Sequence, residues 1–417
     1  MAKEPEKKPA PQAATNAAPP AASPAKPAAK EGVRLPAGGV QPLTVVSGQR
    51  QLSIIRFSPC GKFLIGAGLG PMVYRWDVSK TAAAKDEPPS LDAALDGKKK
   101  KPAPAPAKVY AEMPELPPLD GHRGWITGLD LVADGERVIT GDSWGRLLCR
   151  SYLGAKPATL WTIDEAHAGW VRQVAVGPDG KTFATCGADG KVVLRSTADG
   201  KPLHTWTDHE ADVYSVAFHP DGKSLVSGDI HGTIIHWDLA TKKPVRRFAA
   251  EVLYLAEDDT LQDVGGVRRL VFDADAKTLV ACGGKPAGGG FVVATAVMRS
   301  FDWKTGKTIA THEPGDSKSG FVHDAVFHPD GYLIGTTSGQ PGSGQFFLWR
   351  LSDEKPQFIY TKMANCQSVA LHPDRTRVAV AYTNGDSAGN GRRMKSDEDY
   401  HGNTSPISVW DATQLKT

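Results

Sequence analysis

The five cysteines of this 417-residue chain (Cys60, Cys149, Cys186, Cys282 and Cys366) are scattered, odd in number and never spaced as C-x-x-C. That pattern argues against a disulfide framework or a thiolate zinc site and fits a reducing compartment. No apolar run approaches the roughly 18 residues of a membrane span, so no integral membrane segment is expected. The opening residues Met1–Lys8 lack the apolar stretch of a secretory signal, and a cytoplasmic location is expected. Enzymatic signatures are also missing. There is no nucleophile elbow, no phosphate-binding G-x-x-x-x-G-K-S/T loop, no H-E-x-x-H pair and no dinucleotide fingerprint. No catalytic, cofactor or metal residue is therefore assigned, and no enzyme activity is expected.

Charge is nearly balanced, with a formal net of +3. Residues 1–34 hold six Lys/Arg against three acids, and residues 80–118 hold seven against six, which leaves the rest near neutral. A nucleic-acid binder usually carries its basic face on the folded domain. Nucleic-acid binding through the body is thus not expected. Residues 1–34 are an Ala/Pro/Lys tract with almost no large apolar side chain, which reads as a disordered tail because it cannot bury enough surface to offset its ordering entropy. Residues 80–118, with Lys98 to Lys101 followed by alternating Pro and Ala, read as a Pro/Lys-rich extended insert.

The remainder is short alternating β-segments cut by turns. A turn mark follows an apolar strand seven times, at Pro59, Ala133, Pro178, Pro220, Ala274, Pro329 and Pro373. Four of the marks are Phe-x-Pro or His-Pro followed by Asp-Gly or a close variant, the chemistry of a tight turn. One unit reads Asp208-His209, then Val213 to Gly222, then Leu225 to Gly228, then Thr233 to Asp238. Trp-Asp recurs at Trp76-Asp77, Trp237-Asp238 and Trp410-Asp411, and a His opens units at His122, His167 and His209. This order resembles the WD-repeat (G-protein-beta-like) family, whose repeats each supply the four strands of a propeller blade. The fold expected from the resemblance is all-β, a seven-bladed β-propeller over residues 38–417, with 80–118 inserted after blade one. The chain stops seven residues after Trp410, without an outer strand, while Gly39–Val45 matches the outer-strand segment Gly200–Trp206. An N-terminal strand should therefore close the seventh blade and protect an open sheet edge.

The family commonly builds a buried hydrogen-bonded set from His, Ser/Thr, Asp and Trp. Here Trp144 and His231 stand where Asp is usual, and Arg150 and Arg195 where Trp is usual. No blade is expected to hold the complete set, and ordinary stability is expected.

The resemblance implies a non-catalytic scaffold or adaptor that binds a protein or peptide on one face. The residue before each innermost strand (Gln51, Trp125, Trp170, Asp212, Gly266, Phe321 and Asn365) should ring the channel mouth. Trp125, Trp170, Asp212 and Phe321 are candidate partner contacts, since aromatics anchor interfaces; the alternative for the two Trp is packing between blades. The segment 383–406 of the last blade adds Arg392, Arg393 and Tyr400 as candidates, with Asp397, Asp399 and His401 as a weaker cation set. Gly-rich expansions at 283–290 and 338–344 should emerge on the same face. Two other functions remain open: an enzyme or ligand site at the channel mouth, and binding of an anionic polymer by the Lys/Pro arms.

Overall fold

A computed structural model describes residues 44–48, 51–80, 113–257, 262–286, 294–316, 319–339, 343–361, 363–383, 392–394, 400–402 and 405–416. Seven antiparallel four-stranded sheets form the seven blades of a β-propeller. From the channel outward, the strands of each blade are named a to d. Blade one runs Leu52–Phe57, Phe63–Gly68, Val73–Asp77 and Glu115–Leu119. Glu115–Leu119 lies at the end of the stretch assigned to the insert, and it pairs as strand d. Its Pro117 and Pro118 fit an outer edge, where a missing amide breaks no ladder. Blade seven is built from Ala364–Leu371, Arg377–Thr383, Ser405–Asp411 and, as its d strand, Thr44–Gly48. The N-terminal strand therefore closes the ring, pairing Thr44 with Val409 and Gly48 with Ser405.

Alternation explains the blades. Strands b and c are buried on both faces because neighbouring blades cover them, and they read as near-continuous apolar runs such as Leu225, Val226, Ile234 and Ile235. Trp76, Trp237 and Trp410, at the ends of c strands, are fully buried. The b–c turns need glycine: Gly145 has φ of +81°, and a Cβ there would sit 2.1 Å from the His167 carbonyl oxygen.

The turn histidines link one blade to the next. His219 Nε2 donates to the Ala276 carbonyl (3.1 Å), His328 Nε2 to Arg375 (2.8 Å) and His372 Nε2 to Gly61 (2.8 Å). In each, Nδ1 accepts the amide two residues on, which fixes the tautomer.

The buried sets are more complete than the sequence alignment implies. In blade four, Trp237 Nε1 donates to Ser227 Oγ (2.8 Å), Ser227 to His209 Nε2 (2.7 Å), and His209 Nδ1 to Asp229 (2.8 Å). The missing carboxylate is supplied from Asp229, two residues before His231. In blade two, Asp142, two residues before Trp144, does the same for His122 (2.9 Å), with Thr140 on Nε2 (2.7 Å). A residue two positions upstream on a strand projects to the same side, so the carboxylate reaches the same histidine from the strand end. Blade three uses Asp189 and Thr185, and Arg195 Nε takes the place of the tryptophan N–H on Thr185 (3.3 Å). Blade one has Gly66 where blade four has Ser227, and its Trp76 indole N–H is buried without a partner.

Two results are expected. Removing residues 1–34 leaves the thermal midpoint within about 1 °C of the full chain, whereas removal through Gly48 opens the blade-seven edge and lowers it by about 5 °C or more. Differential scanning fluorimetry at two protein concentrations checks both. Acid should act on blade two. Burial pushes the His122 pKa below its ordinary 6.5, against the pull of Asp142. Burial alone would raise Asp142, but hydrogen bonds from His122 and from the amides of Arg146, Trp144 and Arg123 outweigh it and hold Asp142 at about 2. Both contributions are whole at high pH: His122 stabilisation falls as pH drops below 6.5, and that of Asp142 falls between 3.8 and about 2. The urea midpoint of the wild type should drop from pH 7 to pH 5 by more than that of His122→Gln. Equal drops would mean that His122 is not held neutral.

Candidate functional site

One face of the ring is assembled by the same rule in four successive blades. The carbonyl of the residue preceding strand a accepts the amide of the residue following strand b: Gln51 from Leu69 (2.9 Å), Trp125 from Ser143 (2.9 Å), Trp170 from Ala188 (3.0 Å) and Asp212 from Ile230 (2.9 Å). Each d–a loop is thus pinned to its own b–c turn, and of these four residues Trp170 lines the cavity at the channel mouth. Trp125 and Trp170 meet edge to face at 5.7 Å. Trp125 is 47% exposed and Trp144 is 70% exposed. Trp144 lies beside them, its indole against Gly124, where an added Cβ would fall 2.4 Å from Trp144 Cδ1. Sequence reasoning treated Trp144 only as a repeat position lacking its Asp. A tryptophan replacing a turn acid at the tip of a b–c loop was the available signal.

Phe321 sits on the same rim but is buried, and its ring meets His323 edge-on at 6.1 Å. Asp212 pairs with Arg172 (2.7 Å). Gly266 and Asn365 adopt positive φ at their rim positions, +97° and +47°, and Asn365 Nδ2 donates to Thr383 Oγ1 (2.9 Å). The strands Arg392–Met394 and Tyr400–Gly402 pair, Arg393 opposite His401, as a hairpin extending the b–c loop of blade seven. The side chains of Arg392, Arg393 and Tyr400, and all of Asp397 and Asp399, lie outside the described residues. The Gly-rich stretch of blade five starts as strand, since Thr278–Pro286 pairs with Ala294–Asp302 along nine residues each. An unforeseen small hairpin, Tyr254–Glu257 with Gln262–Gly265, fills the connection from blade four to blade five. His231 packs against its Tyr254 with ring centroids 4.8 Å apart and the planes tilted by 54°.

Inside the mouth lies a cavity of about 230 Å³ lined from all seven blades. An arc of alternating rings and guanidiniums runs along its wall. Arg172 lies 4.8 Å over Trp170 and 4.5 Å over Tyr214, and Arg268 lies 4.3 Å over Tyr214 and 5.1 Å over Phe321. Asp324 lines the same cavity. One of its oxygens accepts from Arg56 (2.8 Å) and Ser368 (2.6 Å), and the other faces Arg269 (3.2 Å). Burial would raise the Asp324 pKa, but Arg56, Arg269 and Ser368 together hold it below the ordinary value. His323 is pushed down to about 4, first by burial and then by Arg268. At neutral pH the mouth therefore presents neutral His323 and a carboxylate already engaged on both oxygens.

The spacing G-x-S-x-G does occur, contrary to the expectation of no nucleophile elbow, in Gly141-Asp142-Ser143-Trp144-Gly145 and in Gly385–Gly389. The second lies outside the described residues. The first is a strand-to-strand turn rather than the strand-to-helix turn of a nucleophile elbow. Ser143 Oγ accepts the Trp125 amide (3.1 Å), while His122 is held by Asp142 and Thr140. Among the described residues no three His, Cys, Asp or Glu side chains gather as a metal site. No helix among them is long and apolar enough to cross a membrane.

Seven four-stranded blades around a channel define a β-propeller, with aromatic and charged groups gathered at one mouth. Residues 158–195 and 200–238 match the family model described as WD domain, G-beta repeat. Each match runs from the d strand of one blade through strands a to c of the next, so the sequence repeat is offset from the blade by one strand. The matched repeats and the seven-bladed ring are consistent with the WD-repeat family. No curated protein matches the chain at a significant level.

The ring–guanidinium arc has a stability consequence. Tyr214 separates two cations, and cation–π contacts of this kind contribute about 0.5–2 kcal/mol each. Tyr214→Leu should cost about 1–3 kcal/mol in urea unfolding, and Tyr214→Phe, which keeps the ring, less than about 1 kcal/mol. Equal losses for the two would show that the hydroxyl, not the ring face, holds the arginines.

Proposed function

We propose that this chain is a protein-interaction scaffold whose loop-rich rim docks a partner polypeptide. Propellers of this family generally serve as interaction platforms. The observation that carries the proposal here is the adjacent, solvent-exposed Trp125 and Trp144 beside Trp170. Large aromatics left in water at a concave mouth are the usual anchors of interfaces, and their removal typically costs the most affinity. Phe321 supports the cavity wall from within, so the contact burden falls on the tryptophans. A scaffold also suits the chemistry of Asp324 in the channel, which is engaged by arginines and a serine and is poorly placed to move a proton. The cysteines stand apart, four of them buried in four different blades, which suits the reducing conditions of a cytoplasm.

The experiment is quantitative affinity capture from native extract with the wild type, Trp125→Ala/Trp144→Ala, and Leu203→Ser. Leu203 is an exposed residue on the outer strand of blade three and serves as a control away from the rim. Partners lost with the tryptophan pair and kept with Leu203→Ser support the rim as the docking face. An unchanged partner set, with both variants melting like the wild type, overturns it.

A further inference from the structure

Antiparallel strands place the a–b turns and c–d connections on one face of the ring, opposite the b–c turns of the aromatic rim. On that opposite face a groove of about 560 Å³ opens between blades five and six. Its apolar wall includes Phe327 and Leu351, both partly buried, and Ile309, which is 58% exposed. Three aspartates line it as well: Asp273 and Asp275 from the a–b turn of blade five, and Asp330 from that of blade six. No lysine or arginine is among the lining residues. Lys277 pairs with Asp275 (3.1 Å). One Asp273 oxygen takes the amides of Lys277 (2.7 Å) and Thr278 (2.9 Å), and the other takes no hydrogen bond among the described residues. Exposed aliphatics recur at the matching place on the outer strands of blades two to four, at Leu160, Leu203 and Val245. What sets Ile309 apart is the acidic groove beside it.

We propose that this groove is a docking site for the chain's own residues Val33, Arg34 and Leu35, with Arg34 between Asp273 and Asp330 and Leu35 on Ile309. Two observations carry the choice of occupant. The first is where the N-terminal segment joins the ring. Thr44 pairs with Val409 near the end of strand c of blade seven, so the chain enters its outer strand from the same face as the groove. Only blade six separates that entry from the groove. The nine residues from Leu35 to Thr44 reach up to about 30 Å when extended. The second is complementarity. Residues 1–34 hold six Lys/Arg against three acids, and Val33 is the first β-branched aliphatic of the chain. Val33-Arg34-Leu35 is therefore where a cation first stands between large apolar side chains, matching aspartates set beside Ile309 and Phe327. A guanidinium can take a carboxylate on each of its donor edges. An ion pair at an exposed groove contributes little to stability, so this docking is compatible with the nearly unchanged thermal midpoint expected on removal of residues 1–34.

The test is disulfide trapping in the full chain, with the exposed native thiol of Cys60 removed by Cys60→Ser. Leu35→Cys is combined with Ile309→Cys or, as the control, with Leu160→Cys. The rate of intramolecular disulfide formation in a glutathione buffer is read by mass spectrometry of non-reduced digests. Leu160 is 53% exposed at the matching position of blade two, which lies as many blades from blade seven as blade five does. The Ile309→Cys pair is expected to close about tenfold faster than the Leu160→Cys pair, because docking raises the local concentration of one thiol at the other. Arg34→Glu should reduce that advantage to about twofold or less, and Arg34→Glu with Asp273→Arg and Asp330→Arg should restore it. Equal rates for the two pairs, or an Ile309→Cys rate indifferent to Arg34→Glu, overturn the inference. A disulfide that forms only between molecules, at a rate rising with protein concentration, overturns it in favour of a second copy as the occupant. None of these variants alters Trp125, Trp144 or Trp170, so failure here leaves the scaffold reading intact.

Discussion

Closure of the ring is the constraint on which everything else depends. A propeller blade has no stable edge of its own, and seven of them are held in a circle only if the last is joined to the first. Here the join is made in several layers. Thr44–Gly48 supplies the outer strand of blade seven. Closer to the channel, the Leu52 amide donates to Ser405 Oγ (2.8 Å) and the Ile55 amide to Ser368 Oγ (3.1 Å), so blade one is tied to strands c and a of blade seven. On the turn face, His372 reaches Gly61 and packs edge-on against Phe57 at 4.8 Å. Contacts this distant in sequence carry a large loop-closure cost in the unfolded chain. Several of them acting together make the seam cooperative rather than a single weak point.

Asp324 extends the same logic across the channel. It begins in blade six and receives groups from blades one, five and seven: Arg56, Arg269, and Ser368 with the Val369 amide (3.3 Å). A carboxylate buried alone would protonate; surrounded by two guanidiniums and neutral donors it stays charged and fixes four blades at one point. Asp324, Arg56 and Arg269 also line the mouth cavity, so this junction braces its wall. The rim residues can then be set by short local bonds, from the d–a loop to the b–c turn of the same blade, without further long-range support.

The repeat architecture was legible because its signals recur in phase. The turn marks, the Trp-Asp ends and the His starts each fall at the same place in the blade, and the excess outer-strand match at residues 39–45 foretold the closing strand. The side-chain sets were less legible. Position-by-position alignment asks which residue occupies a slot, whereas a buried histidine asks only whether a carboxylate oxygen arrives within about 3 Å. Asp142 and Asp229 arrive from two residues upstream, and Arg195 from the tryptophan slot, so an alignment reads a gap where the chemistry is filled. The channel arc was invisible for a related reason. Trp170, Arg172, Tyr214, Arg268 and Phe321 come from four blades and stack only once the ring is closed.

The arc also shows how two arginines are held at the channel mouth. On c strands the blades also bury Arg75, Arg150 and Arg195, so apolar packing is not required of Arg172 and Arg268 at the channel mouth. The rings of Trp170, Tyr214 and Phe321 reduce the cost of keeping them, since an aromatic face stabilises a guanidinium without neutralising it. Arg172 also pairs with the Asp212 carboxylate (2.7 Å). Aromatic support therefore stabilises both cations, with Asp212 adding to it at Arg172, and through Trp170 it continues to the exposed Trp125 of the rim.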